Sequence, residues 1–110
     1  MTAAELLQLV AQLDSATVDK MAHALGWPTG FALTHGGSAH RAKWANPFRN
    51  YYCGTADDPY WLAAQALGLA KIGSKPRSDL PYTTWTVTEL GQAVVRLRLQ
   101  AIVLARKVTP

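Results

Sequence analysis

Apolar residues recur at helical spacing over the first 25 residues and predict two short helices. Thr2 and Glu5 match the capping box that begins a helix, and an apolar stripe of leucines and valine follows it. Asp14 or Ser15 can cap a second helix, which Gly26 ends. We therefore expect a helical hairpin at the start of the chain.

The next 30 residues lack such a regular pattern. Glycine and proline punctuate residues 27–38, so any helix there is short and a loop follows it. A further helical segment is expected from Ser38 through Trp44, ended by Asn46-Pro47.

Asp58 and Pro59 form the clearest helix start in the chain, since Asp is a good N-cap and Pro fits the first helical position. Gly68 suits the left-handed position that ends this helix. The pattern predicts that the helix buries the side formed by Leu62, Ala63, Ala66 and Leu69.

A two-stranded hairpin with a basic tip is expected after this helix. Residues 69–72 read as a short strand, and residues 82–88 alternate so that Trp85 and Val87 share one face. The connection between the two strands contains Lys75 and Arg77.

The last predicted helix is capped by Thr88, or one step earlier by Thr86, and runs to about Lys107. It is apolar on two sides, so it is either sandwiched within the domain or has one side on a partner subunit. One side carries Leu90, Ala93, Val94, Leu97, Ala101 and Leu104, and the other carries Val95, Leu99, Ile102 and Val103. The resulting fold class is mainly α with a small β-hairpin, in one domain spanning residues 1–110.

Composition and charge predict where the protein is located and what class of partner it binds. The sequence has no apolar run long enough for a membrane span, no basic secretory start and a single cysteine, Cys53, which together predict a cytoplasmic protein. The net charge is +4, and residues 41–110 hold ten bases against four acids. This asymmetry is compatible with an acidic partner such as nucleic acid.

No catalytic or metal-binding motif stands out. His23, His35 and His40 have no recognised zinc spacing with Cys53. The adjacent Asp57 and Asp58 are accounted for by solubility and helix capping. We therefore expect neither an enzyme, nor a metal site, nor a cofactor.

The densest aromatic and basic cluster lies between residues 41 and 52. It suits stacking and phosphate contacts on nucleic acid, and equally an interface with a protein, while packing in the core is the plain alternative. Its members are Arg41, Lys43, Trp44, Phe48, Arg49, Tyr51 and Tyr52.

Residues 58–107 follow the element order of a winged-helix core. Gly68-Leu69 and the run from Thr86 to Gly91 resemble the wing-flanking segments of MarR-like regulators. A group of small phage and prophage proteins is similar to this chain in four segments: Arg49–Tyr52, Asp57-Asp58, Ala66–Leu69 and Val87–Gly91. The resemblance covers under half of the chain. It implies a winged-helix-like (α+β) fold whose first 45 residues form a helical N-terminal part.

The resemblance implies a nucleic-acid-binding regulator or accessory protein. The helix after Asp58 would meet the major groove through Tyr60, Ala64 and Gln65, and the hairpin would meet phosphates. The expected nucleic-acid contacts are Tyr60, Gln65, Lys71, Lys75, Arg77, Arg41, Lys43 and Arg49. Asp57 and Asp58 disfavour nucleic-acid binding, because carboxylates at this helix start repel phosphate. A weaker alternative is a helix-turn-helix over residues 18–35.

The other hypothesis is a protein-binding module or inhibitor that uses the same fold against a host or phage protein. Its expected contacts are Trp44, Tyr51 and Tyr52 with the second side of the last helix. That second side, made of Val95, Leu99, Ile102 and Val103, is also expected to form a homodimer.

Overall fold

Helices outnumber strands among the residues that the structure describes. A computed structural model describes residues 2–35, 49–73 and 83–108, with side chains up to residue 105. In chain order the elements are α1 (Ala3–Gln12), α2 (Ser15–Leu25), α3 (Gly30–Thr34), β1 (Tyr52–Gly54), α4 (Pro59–Ala66), β2 (Ala70–Ile72), β3 (Thr83–Val87) and α5 (Glu89–Val108). This is a mostly helical α+β fold with a small antiparallel sheet.

Short-range capping sets the start of α1 and both ends of α2, as the sequence predicts. The Thr2 hydroxyl accepts a hydrogen bond from the Glu5 amide at 3.1 Å, and the Glu5 carboxylate accepts one from the Thr2 amide. Asp14 caps α2 by accepting from the Thr17 amide at 2.8 Å. Gly26 ends α2 with a φ of 72°, the left-handed conformation that glycine adopts without strain.

The region after α2 forms one short helix, which was expected. α3 has five residues, little more than one turn. A helix-turn-helix over residues 18–35 needs a full second helix to enter a groove, so this alternative is wrong on the length of α3. The helical segment expected from Ser38 through Trp44 lies outside the described residues.

The hairpin of β2 and β3 is confirmed, and β1 adds a third strand that the sequence pattern does not predict. β3 lies in the centre, with β1 and β2 antiparallel on either side. Tyr52 pairs with Trp85 in the β1–β3 register. Two residues before Tyr52, the Asn50 side chain continues this pairing: its amide donates to the Val87 carbonyl at 2.9 Å and accepts from the Val87 amide at 2.8 Å.

Two tryptophan rings lie at the centre of the core. Trp61 from α4 and Trp85 from β3 stack with ring centroids 5.7 Å apart, and both are almost fully buried. Val87 is buried on the same side of β3 as Trp85, which confirms the predicted alternation. α2 and α5 supply most of the remaining fully buried side chains, among them Val18, Met21, Leu25, Val94, Val95 and Leu99.

The predicted buried side of α4 is wrong. Leu62, Ala63 and Ala66 are exposed, whereas Trp61 and Ala64 are buried. Trp61 carries the largest apolar side chain of this eight-residue helix, so burying its ring against Trp85 decides how the helix is rotated. Leu69 is buried as predicted, after Gly68 turns the chain out of the helix with a φ of 75°.

α5 reaches the predicted length and packs against α1, α2, α3 and the sheet. Its side chains at Val94, Val95 and Leu99 are fully buried within the chain, while Leu104 is 64% exposed. Thr88 caps the helix start by accepting from the Gly91 amide at 3.1 Å. Among the residues described, α5 and the shorter helices are not long and apolar enough to cross a membrane.

Candidate nucleic-acid interface

The start of α4 is less acidic than its sequence indicates. One carboxylate oxygen of Asp58 caps the helix by accepting from the amides of Tyr60 at 2.9 Å and Trp61 at 3.3 Å. The other oxygen forms an ion pair with the Lys20 ammonium at 2.8 Å. Asp57 is exposed. The negative charge of Asp58 is thus compensated within the chain.

The ion pair shifts the titration of both partners. Burial raises the pKa of Asp58, but the hydrogen bonds from Lys20 and from the two amides outweigh burial and hold that pKa below its ordinary value. The hydrogen bond to Asp58 raises the pKa of Lys20 above its ordinary value, against the opposing effect of burial. Both groups therefore stay charged across the neutral range. No local pattern in the sequence indicates a role for Lys20, because its partner is 38 positions away.

The outward side of α4 is accessible but carries no Lys or Arg side chain. We call the exposed side chains Tyr60, Leu62, Ala63, Gln65 and Ala66 the α4 face. Tyr60 and Gln65 lie on it as expected, and both can hydrogen-bond to bases. Ala64 is fully buried, so its expected outward position is wrong.

Lys71 on β2 is exposed, and the residues that follow it in the sequence carry the hairpin's positive charge. The Gly73 amide donates to the Thr84 carbonyl at 2.8 Å, which continues the pairing of β2 and β3 past Ile72. Lys75 and Arg77 lie outside the described residues.

Several other basic side chains form hydrogen bonds or ring contacts within the chain. Arg49 donates twice to the His23 carbonyl near the end of α2, at 3.2 and 2.7 Å. Arg98 donates to the carbonyls of Val10 and Leu13 at 2.8 and 2.9 Å, and so satisfies the end of α1.

Arg96 is also occupied, since its guanidinium lies 5.8 Å from the centre of the Trp27 ring. Arg41 and Lys43 lie outside the described residues. Of the bases expected to contact nucleic acid, the described residues include Lys71, which is exposed, and Arg49, which is hydrogen-bonded within the chain.

The residues expected to bind a protein partner fall in different environments. Tyr51 is 53% exposed, whereas Tyr52 is half-buried with its ring 5.4 Å from that of Trp61. Trp44 lies outside the described residues.

The proposed second side of α5 is mostly used by the chain itself. Val95 and Leu99 are fully buried, so their assignment to a partner contact is wrong; α5 packs this part of the helix against the core. Ile102 and Val103 are half-buried. Homodimerisation itself stays a prediction, and it would have to use other side chains than Val95 and Leu99.

A cavity of about 240 Å³ opens between α2, α3 and α5, away from the α4 face. Its charged groups already serve the fold: the Asp19 carboxylate accepts from the amides of Gly30 and Phe31, and Arg98 holds the end of α1. These bonds account for both charges without a ligand.

The described histidines and the cysteine show no shared site. His23 contacts the Tyr52 ring edge-on, His35 stacks on Phe31, and Cys53 is exposed on β1. Within the described part of the chain no three His, Cys, Asp or Glu side chains are grouped so that they could hold a metal ion.

Comparison with protein-family models, with curated proteins and with solved structures finds no match to this chain.

Proposed function

We propose that this chain binds nucleic acid as a winged-helix-like regulator or accessory factor, through the α4 face and the hairpin of β2 and β3. The observation that carries the proposal is the placement of α4: this helix directly precedes the hairpin, packs against α2 and β2, and leaves Tyr60 and Gln65 accessible. A reading helix followed by a basic hairpin can contact bases and phosphates at once. The similarity of short segments to MarR-like and phage proteins points in the same direction.

The ion pair at the start of α4 removes the part of the electrostatic objection that comes from Asp58, while the exposed Asp57 keeps its negative charge there. An unpaired carboxylate at a helix start would repel phosphate, but Asp58 is 13% exposed in its side chain and is bound to Lys20. α4 contains no Lys or Arg, so it lacks the bidentate contact to guanine. Affinity would therefore come mainly from phosphate contacts by Lys71, Lys75 and Arg77, with modest base selectivity from Tyr60 and Gln65.

The experiment is fluorescence anisotropy with a random-sequence DNA duplex at about 50 mM and about 200 mM salt. The test variant is Lys75→Glu/Arg77→Glu. The matched control, Arg106→Glu/Lys107→Glu, makes the same change in net charge in the last turn of α5, roughly 25 Å along the helix from its start.

We expect wild-type binding that weakens steeply with salt, because each neutralised phosphate releases counterions. The hairpin variant should lose binding and the control should keep most of it. An equal loss in both variants would show that net charge alone is responsible, and no binding at low salt would refute the proposal.

A protein partner is the second candidate function, and the apolar character of the α4 face favours it. Leu62 is 42% exposed and Tyr60 is 38% exposed, and Ile72 on β2 is 40% exposed. Exposed aromatic and aliphatic side chains are typical anchors of protein interfaces. If this candidate is right, Leu62→Ala and Tyr51→Ala should abolish binding to the protein partner, and salt should change that binding little.

A further inference from the structure

The ammonium of Lys20 lies between two helices and two aromatic rings. It projects from α2 to the Asp58 carboxylate at the start of α4, and it lies 5.4 Å from the centre of the Tyr52 ring and 5.2 Å from that of Tyr60. The Lys20 side chain is 29% exposed. A cation at these distances is attracted by each ring face in addition to the carboxylate.

The two rings differ in how firmly they are held. Tyr52 packs against Trp61 in the core and meets His23 edge-on, so its position is set by the fold. Tyr60 belongs to the α4 face and is 38% exposed. Lys20 therefore connects a ring packed against the core to the ring that the proposed function uses to contact bases.

Asp58 divides its two oxygens between separate tasks. Oδ1 accepts the amides of Tyr60 and Trp61 and so caps α4, whereas Oδ2 accepts the Lys20 ammonium. Because the cap does not depend on Oδ2, removing the Lys20 ammonium leaves the helix start hydrogen-bonded. The effect of Lys20 can thus be separated from the stability of α4.

We propose that Lys20 is a positioning residue of the α4 face: its ammonium holds the Tyr60 ring in place and compensates the Asp58 charge at the helix end nearest to the nucleic acid. The first part of this inference concerns the free protein. The second part rests on the proposed nucleic-acid binding.

The first experiment is NMR of protein labelled with ¹³C in its four tyrosine rings, with Tyr60→Phe used for assignment. Lys20→Met keeps the aliphatic length and removes the charge, and Lys20→Arg retains a cation that can contact both rings. We expect Lys20→Met to move the Tyr60 ring signals toward those of an unfolded chain, and Lys20→Arg to retain most of the native shift. The Tyr51 signals should stay in place and serve as an internal control. Unchanged Tyr60 signals in Lys20→Met would overturn the inference.

The second experiment measures duplex binding of Lys20→Met and of Lys20→Met/Asp58→Asn. Asn remains a good N-cap and carries no charge. We expect Lys20→Met to weaken binding about fivefold, because it leaves an uncompensated carboxylate near phosphate, and the double variant to recover most of that loss. A double variant as weak as Lys20→Met would overturn the charge-compensation part. If the wild type binds no DNA, the proposed function fails, and the Tyr60 signals alone decide the role of Lys20.

Discussion

Substitution of Gly91, in the first turn of α5, should destabilise the protein, although helix propensity alone predicts that alanine there would stabilise it. A Cβ built on Gly91 would collide with the carbonyl oxygen of Leu69 and would lie 2.7 Å from Cγ1 of Val87. The Leu69 carbonyl cannot move freely, because it accepts the Thr88 amide at 3.0 Å where β2 meets the start of α5. Gly91→Ala must therefore displace backbone as well as side chain.

The expected change in the free energy of unfolding is the sum of one stabilising and two destabilising contributions. Alanine favours a helix over glycine by about 1 kcal/mol, overpacking a core costs about 1–3 kcal/mol, and weakening the Thr88–Leu69 hydrogen bond costs about 1 kcal/mol. The sum predicts that Gly91→Ala lowers the free energy of unfolding by about 2 kcal/mol. For a domain of this size the melting temperature should fall by roughly 10 °C.

Urea denaturation followed by tryptophan fluorescence provides the assay, since Trp61 and Trp85 are buried in the fold. Gly68→Ala is the control: its φ is +75°, but no neighbouring atom lies within 4 Å of the added Cβ. It should lose only about 1 kcal/mol, the cost of a left-handed alanine. A Gly91→Ala protein as stable as the wild type would refute the steric reasoning.

Two further predictions use the same urea assay. Asn50→Ala should cost about 2 kcal/mol, because the Val87 amide loses its bond to the Asn50 side chain and the Val87 carbonyl keeps only a long contact to the Gln92 side-chain amide at 3.5 Å. A loss below about 0.5 kcal/mol would show that water replaces the Asn50 bonds equally well. The Lys20–Asp58 pair should make stability depend on pH: since the folded pKa of Asp58 lies below the unfolded one, its contribution is complete above the unfolded pKa and is lost as the pH falls below about 4. Both side chains are partly exposed, so this loss should be under about 1 kcal/mol, and Asp58→Asn should remove it; an identical acid profile in that variant would contradict the assignment.

The proposed interface was predictable only in part. Tyr60 and Gln65 lie on the accessible side of α4 as the sequence indicates, and Lys71 is exposed. The compensation of Asp58 by Lys20 was not predictable, because nothing local connects α2 with the start of α4. Without the fold, Asp58 looks like a free charge that opposes phosphate.

The sequence alone determined the ends of several helices. The Thr2 capping box, Asp14 and Asp58 as N-caps, and the left-handed Gly26 and Gly68 all appear where the pattern predicts them. Each of these features needs only backbone groups within a few residues, so the local sequence contains all the information required.

Only the tertiary structure decided which sides of α4 and α5 are buried and that β1 joins the sheet. Trp61 fixes the rotation of α4 through its contact with Trp85, which lies 24 positions later in the chain. Val95 and Leu99 become core because helices from the N-terminal part cover them. β1 has only three residues, too few for an alternating pattern to predict a strand, and it pairs with β3 some 30 positions away. Burial and strand pairing depend on partners distant in sequence, and the free energy that selects those partners exists only once the whole chain has packed.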